Sequence, residues 1–141
     1  ELDQWSPGEH NGTFRGNNHA FVTATAALTH FWSSDAFEKD VARRGDYLAK
    51  RLDAMAAEHD LDTRGRGMMR GLDMKTAAAA RRVTKAAFER GLIIETSGAH
   101  DEIVKVLAPL TIDDDVLVVG LDIVEACVRL ALAPPFVVAA D

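Results

Sequence analysis

The sequence predicts an α+β chain, and three features carry that prediction. Apolar residues recur at helical spacing through the first part of the chain, short apolar runs edged by glycine follow, and a last long segment returns to helical spacing. A polar run at 59–63 separates the helical half from the strand-and-helix half. The domain boundary is placed there, giving segments 1–58 and 59–141.

The elements follow in order. Between Trp5 and Asn18 stand Pro7, Gly8, Gly12 and Gly16 with Asn11 and Asn17, too many turn formers for regular structure, so this stretch reads as a loop. Phe21, Thr25, Leu28 and Trp32 then predict a helix from Asn18 to about Trp32. Asp35, with Glu38 three residues on, has the form of a capping box. It opens a long helix whose apolar face is Phe37, Val41, Leu48, Leu52 and Met55 and which ends near Glu58. The cations Lys39, Arg43, Arg44, Lys50 and Arg51, interleaved with Glu38, Asp40, Asp46 and Asp53, read as a solvated helix surface. Beyond Asp62, Arg64–Met74 predicts one glycine-edged strand, Thr76–Arg90 a helix, and Leu92–Thr96 and Ile103–Leu107 two more strands. Asp113–Leu132 closes the unit as a helix with Leu117, Leu121, Val124 and Val128 on one face. The assembled picture is a small antiparallel or mixed sheet with helices on one side.

Composition narrows the function classes. With 48% apolar residues, 141 residues suffice for one core. A net charge of −6 and no Lys/Arg cluster argue against nucleic acid as a partner. The apolar stretch Val116–Ala133 is broken by Asp122, Glu125 and Arg129, which leaves no membrane-spanning helix. Cys127 stands alone among Val, Leu and Ala residues, which suits a core position in a reducing cytoplasm. The five histidines show no metal-ligand spacing, so no metal site is expected. Gly65-Arg66-Gly67 lacks the spacing of a dinucleotide fingerprint, and Ser97, His100 and Asp101 read as a glycine-containing loop rather than a hydrolase triad. The chain opens on Glu1 with no signal peptide, as a piece of a longer protein would.

The loop 7–18 is the chemically distinctive segment. Glycines let backbone N–H groups turn inward, Thr13 adds a hydroxyl, and a helix N-terminus follows, a combination suited to an anion. No Gly-Lys-Ser or Gly-Lys-Thr follows, so the loop is not a nucleotide P-loop. An ordinary surface loop that caps the helix with Asn17 or Asn18 fits the same residues.

Pro7-Gly8-Glu9-His10, then Thr13, Phe14 and Gly16-Asn17, resembles the loop of class III pyridoxal-phosphate-dependent aminotransferases. The longer run Gly8–Leu28, with Arg64–Asp73, Gly91–Gly98 and Lys105–Ile112, is similar to the diaminobutyrate-forming branch of that family. Asn18 departs from the proline common in the wider family.

That resemblance implies a fold type I enzyme, of which this chain would be the end of the large domain plus the small C-terminal domain. It implies pyridoxal 5'-phosphate as cofactor, with Gly12 and Thr13 contacting a phosphate held by the other subunit of a homodimer. At Lys105 many family members carry an arginine that clamps the substrate α-carboxylate, so Lys105 is the expected substrate-binding residue. A lysine meets a carboxylate as a point charge rather than a planar fork. The implied reaction moves the amino group of L-glutamate to L-aspartate 4-semialdehyde, as in ectoine biosynthesis. Other class III activities, on ornithine, acetylornithine or γ-aminobutyrate, and a non-enzymatic α+β dimerisation module are the alternatives. The family's Schiff-base lysine precedes the Pro-Gly-Glu-His loop, so no catalytic residue is assigned within the chain. The isolated chain is expected to be inactive, with helix faces exposed where the rest of the enzyme would cover them.

Overall fold

A computed structural model of the chain describes residues 4–9 and 11–133; His10 and the apolar tail 136–140 lie outside the described residues. The order is α1 (Asn18–Phe31), α2 (Ala36–His59), β1 (Asp62–Arg66), β2 (Met69–Asp73), α3 (Ala77–Phe88), β3 (Glu95–Ser97), β4 (Ile103–Leu107) and α4 (Asp114–Leu132). Two compact units result, Glu1–Glu38 and Lys39–Asp141. Their junction falls inside α2, ahead of the composition change at 59–63, because Leu48, Leu52 and Met55 of that helix belong to the same core as the sheet.

In the first unit, α1 is capped by Asn17, whose side chain accepts from the Ala20 amide at 3.2 Å. No residue of α1 is buried, and Phe21 and Leu28 each remain 60% exposed. The helical periodicity was therefore a true signal of helix, while the apolar face it marks has no cover within these residues. Beyond α1, Phe37 packs its ring against Phe31 and Trp32, with centroids 4.9 and 5.1 Å away.

In the second unit the four strands form one antiparallel sheet in the order β1-β2-β4-β3. The expected single strand Arg64–Met74 is two strands of a hairpin. Gly67, at φ +54°, and Met68 form the turn between them, and Met68 tucks into the core. Gly65 has φ +107°, and a Cβ there would overlap the Met69 carbonyl oxygen, so both backbone conformation and close packing require glycine. The strand expected at Leu92–Thr96 begins only at Glu95. The Leu92 amide donates to Ala87 O at 2.9 Å, which ties this stretch to the end of α3 instead of to the ladder.

Period-two alternation sends Leu72, Val104 and Val106 into the core. There they join Val83 and Ala87 of α3 and Leu117, Leu121, Val124 and Val128 of α4. α3 starts at Thr76, whose hydroxyl accepts from the Ala79 amide at 3.2 Å. Its Arg82 donates to Ala131 O near the end of α4, at 3.0 and 3.2 Å.

The charged face of α2 does more than meet water. Arg44 bonds Asp40 at 2.6 Å and Asp114 at 2.9 Å, and Arg43 reaches the same Asp114 at 2.9 Å. Two turns on, Arg51 binds Asp122 at 2.7 Å and Glu125 at 2.9 Å, so α2 is fastened to α4 at two levels. Hydrogen bonds from Arg43, then Arg44, hold the Asp114 carboxyl below its ordinary range. A depressed folded-state pKa gives stability that is present above the ordinary carboxylate range and lost as pH falls through the folded value. Urea midpoints followed from pH 7 into acid are therefore expected to fall less for Asp114→Asn than for the parent chain. In the same assay Gly65→Ala is expected to cost about 1–3 kcal/mol from the strained φ and the backbone overlap.

Candidate functional site

The loop ahead of α1 is built from two tight turns. Glu9 N–H donates to Ser6 O at 3.0 Å while the Glu9 carboxylate accepts from the Ser6 amide at 2.7 Å. Arg15 N–H donates to Gly12 O at 3.1 Å. Gly8 and Gly16, at φ +91° and +73°, let the chain reverse at each end. Thr13 sits at the corner of the second turn, and Phe14 beside it is 88% exposed. Among the described residues, the amides of Gly12 and Thr13 and the Thr13 hydroxyl donate to no partner, and both residues are exposed. These donors are free to meet an anion brought from outside the turn.

In the second unit, the open edge of the sheet forms a cavity of about 430 Å³ between β3, β4 and α4. Leu92, Ile94, Val106, Ile112, Leu117 and Leu121 supply apolar wall; Glu95 and Lys105 are the charged residues of the lining. Strand register explains their meeting. Lys105 faces Gly71 on one neighbouring strand and Glu95 on the other. Gly71 offers no side chain, and Ile103 fills the space above it, so the ammonium turns to Glu95, with Nζ 2.8 Å from Oε2. The lysine side chain is 28% exposed and the glutamate 71%. The hydrogen bond from Lys105 holds the Glu95 carboxyl below its ordinary range.

Glu95 was not singled out by the sequence. It stood inside an apolar-looking stretch, and only the pairing of β3 with β4 places it against Lys105. Of the three residues read as a loop, His100 and Asp101 lie in the β3–β4 connection, while Ser97 is the last residue of β3 and pairs with Ile103. His100 N–H donates to Glu102 at 2.7 Å, and Asp101, at φ +59°, lies 3.7 Å from Arg81. Among the described residues no cluster of His, Cys, Asp or Glu has the form of a metal site, and no helix is long and apolar enough to cross a membrane.

A family model described as aminotransferase class-III matches residues 2–128. The chain belongs to the class III aminotransferases. Within that family it is 50% identical over 138 residues to a diaminobutyrate--2-oxoglutarate transaminase of Halomonas elongata, an alignment covering 94% of this chain and 33% of the relative. A transaminase of the same name from Nocardia farcinica is 52% identical over 129 residues, with 91% and 30% covered. The chain thus spans about a third of the length of the curated relatives it matches. Among solved structures, lysine aminotransferase from M. tuberculosis superposes with a TM-score of 0.70 at 30% identity, over 89% of this chain and 28% of that one. Class III aminotransferases depend on pyridoxal phosphate.

Proposed function

We propose that the chain is the C-terminal part of a transaminase that moves the amino group of L-glutamate to L-aspartate 4-semialdehyde, giving L-2,4-diaminobutyrate and 2-oxoglutarate. The observation that carries this reading is identity of about half over nine-tenths of the chain with relatives named for that activity. Placement in ectoine biosynthesis, in the cytoplasm and in a homodimer belongs to the same reading, as does a Schiff-base lysine supplied by the remainder of the enzyme.

Pyridoxal phosphate, when bound, supplies the electron sink through which the amino group is exchanged. The chain's own residues bind and orient. Gly12 and Thr13 would donate their amides, and Thr13 its hydroxyl, to the cofactor phosphate; the free donors at this turn support that role. Lys105 would pair with the substrate carboxylate. Its support is a lysine side chain only 28% exposed, on a residue that borders the apolar cavity.

The test is the full-length enzyme. Its kcat/KM with glutamate and aspartate semialdehyde is expected to exceed that with ornithine, acetylornithine or γ-aminobutyrate; the opposite order would assign it to another class III activity. Thr13→Val, which keeps shape and loses the hydroxyl, is expected to weaken cofactor binding about five-fold, the value of one net hydrogen bond, as read by fluorescence titration. Lys105→Ala is expected to raise KM for glutamate about ten-fold or more through loss of a charge-assisted bond, with cofactor affinity unchanged.

A further inference from the structure

α4 has two apolar stripes, and the core uses one of them. Leu117, Leu121, Val124, Val128 and Ala131 recur at steps of four and three and are buried against the sheet and α3. Val116, Val119, Ile123, Ala126 and Leu130 recur at steps of three and four and form a second stripe on another side of the helix. Of these, Val116, Val119 and Leu130 are 57, 58 and 56% exposed, and Ile123 at the centre is half-buried. The charged contacts with α2 leave this stripe clear, since they are made by Asp114, Asp122, Glu125 and Arg129 on a third side. An apolar stripe repeating every seven residues along a helix is the form that packs lengthwise against a second helix.

The stripe complements itself about Ile123. When a second copy of α4 is laid along it in the opposite direction, with the two Ile123 residues in contact, Val116 meets Leu130 of the second copy and Gly120 meets Ala126 of the second copy. Large residues then stand opposite large ones at the ends, and small opposite small between them, which lets the helix axes approach closely. A Cβ placed on Gly120 would have only Leu92 near it, at 3.9 Å, so the surface there is open.

Charge agrees with the same alignment. Asp115 has no ion pair among the described residues, and it comes beside Arg129 of the second copy. Arg129 is 54% exposed while it holds Glu58 and Glu125, and twofold symmetry makes the new pairing twice. Arg129 is also the one cation of α4, so a parallel alignment leaves Asp115 without a partner. A face built to receive an unrelated segment has no reason to match its own reverse.

We propose that α4 carries a self-association surface through which two copies of the protein pair antiparallel about Ile123. The contact is independent of the reaction proposed above, and distinct from the one through which Gly12 and Thr13 would reach a neighbouring phosphate.

The experiment uses the full-length enzyme with its cofactor and reads mass by sedimentation. Val119→Glu places a charge in the stripe at a position that carries little core packing. It is expected to halve the mass at concentrations where the parent stays associated, with the unfolding temperature unchanged. Ile123→Cys is expected to form a disulfide between copies under mild oxidation, because antiparallel pairing sets residue 123 against its own mate. The buried Cys127 stays in place. Val116→Cys alone is expected to form none, since its mate then lies about 21 Å away along the helix, whereas Val116→Cys combined with Leu130→Cys cross-links. Equal cross-linking of Val116→Cys and Ile123→Cys overturns the antiparallel arrangement. An unchanged mass for Val119→Glu, with no disulfide from Ile123→Cys, overturns self-association. A lowered unfolding temperature at unchanged mass overturns it too, and assigns the stripe to another part of the same polypeptide.

Discussion

β4 lies between β2 and β3, and its five residues divide their side chains between two environments. Val104 and Val106 point into the core, where α3 and α4 cover them, and Lys105 between them is sent the other way. The burial of the two valines thus fixes the direction of the lysine. A one-residue slip of register would bring the ammonium into the core and the valines out, a change opposed by both desolvation of charge and loss of apolar burial. Register also chooses the neighbours, with glycine on one side and glutamate on the other. Packing at the centre of the sheet and charge placement at its edge are one constraint.

The helices that cover the sheet are held by charge as well as by apolar contact. Arg44 and Arg51 each reach from α2 to end on carboxylates of α4. Exposed ion pairs contribute little singly, yet here one carboxylate, Asp114, serves two arginines and one arginine, Arg51, serves two carboxylates. Sharing lowers the ordering cost of each added bond, because a side chain already fixed loses less freedom. These bonds orient α4, and α4 contributes Leu117 and Leu121 to the cavity beside Lys105. The wall of the candidate site and the clamp between the helices are properties of the same helix.

Much of the architecture was legible because it rests on local pattern. Helical spacing located all four helices, and Ile103–Leu107 was read at its observed limits, since apolar period and breakers are written in neighbouring residues. What failed depended on pairing. Gly67 reads equally well as an interruption or as a turn until β1 and β2 are seen to pair, and Leu92–Ile94 look like strand until Leu92 is tied to α3. Arg43, Arg44 and Arg51 looked like solvated surface because their partners stand some seventy positions away in α4. Glu95 was passed over for the same reason: its significance lies in the residue opposite, which no linear spacing reveals.

The first unit poses the converse case, in which sequence pattern is plain and the face it marks is not covered among the described residues. α1 has the cap and the periodicity of a stable helix, yet Phe21, Val22 and Leu28 stay exposed. Short helices gain most of their stability from packing an apolar face, and an uncovered face forfeits that gain. The turn ahead of α1 shows the same economy in polar form, since the amides of Gly12 and Thr13 and the Thr13 hydroxyl are spent on no described neighbour. Free donors are cheap while water satisfies them and become costly once covered. An apolar helix face and an unspent donor set, adjacent in sequence, are what a segment needs if covering its face and engaging an anion are to happen together.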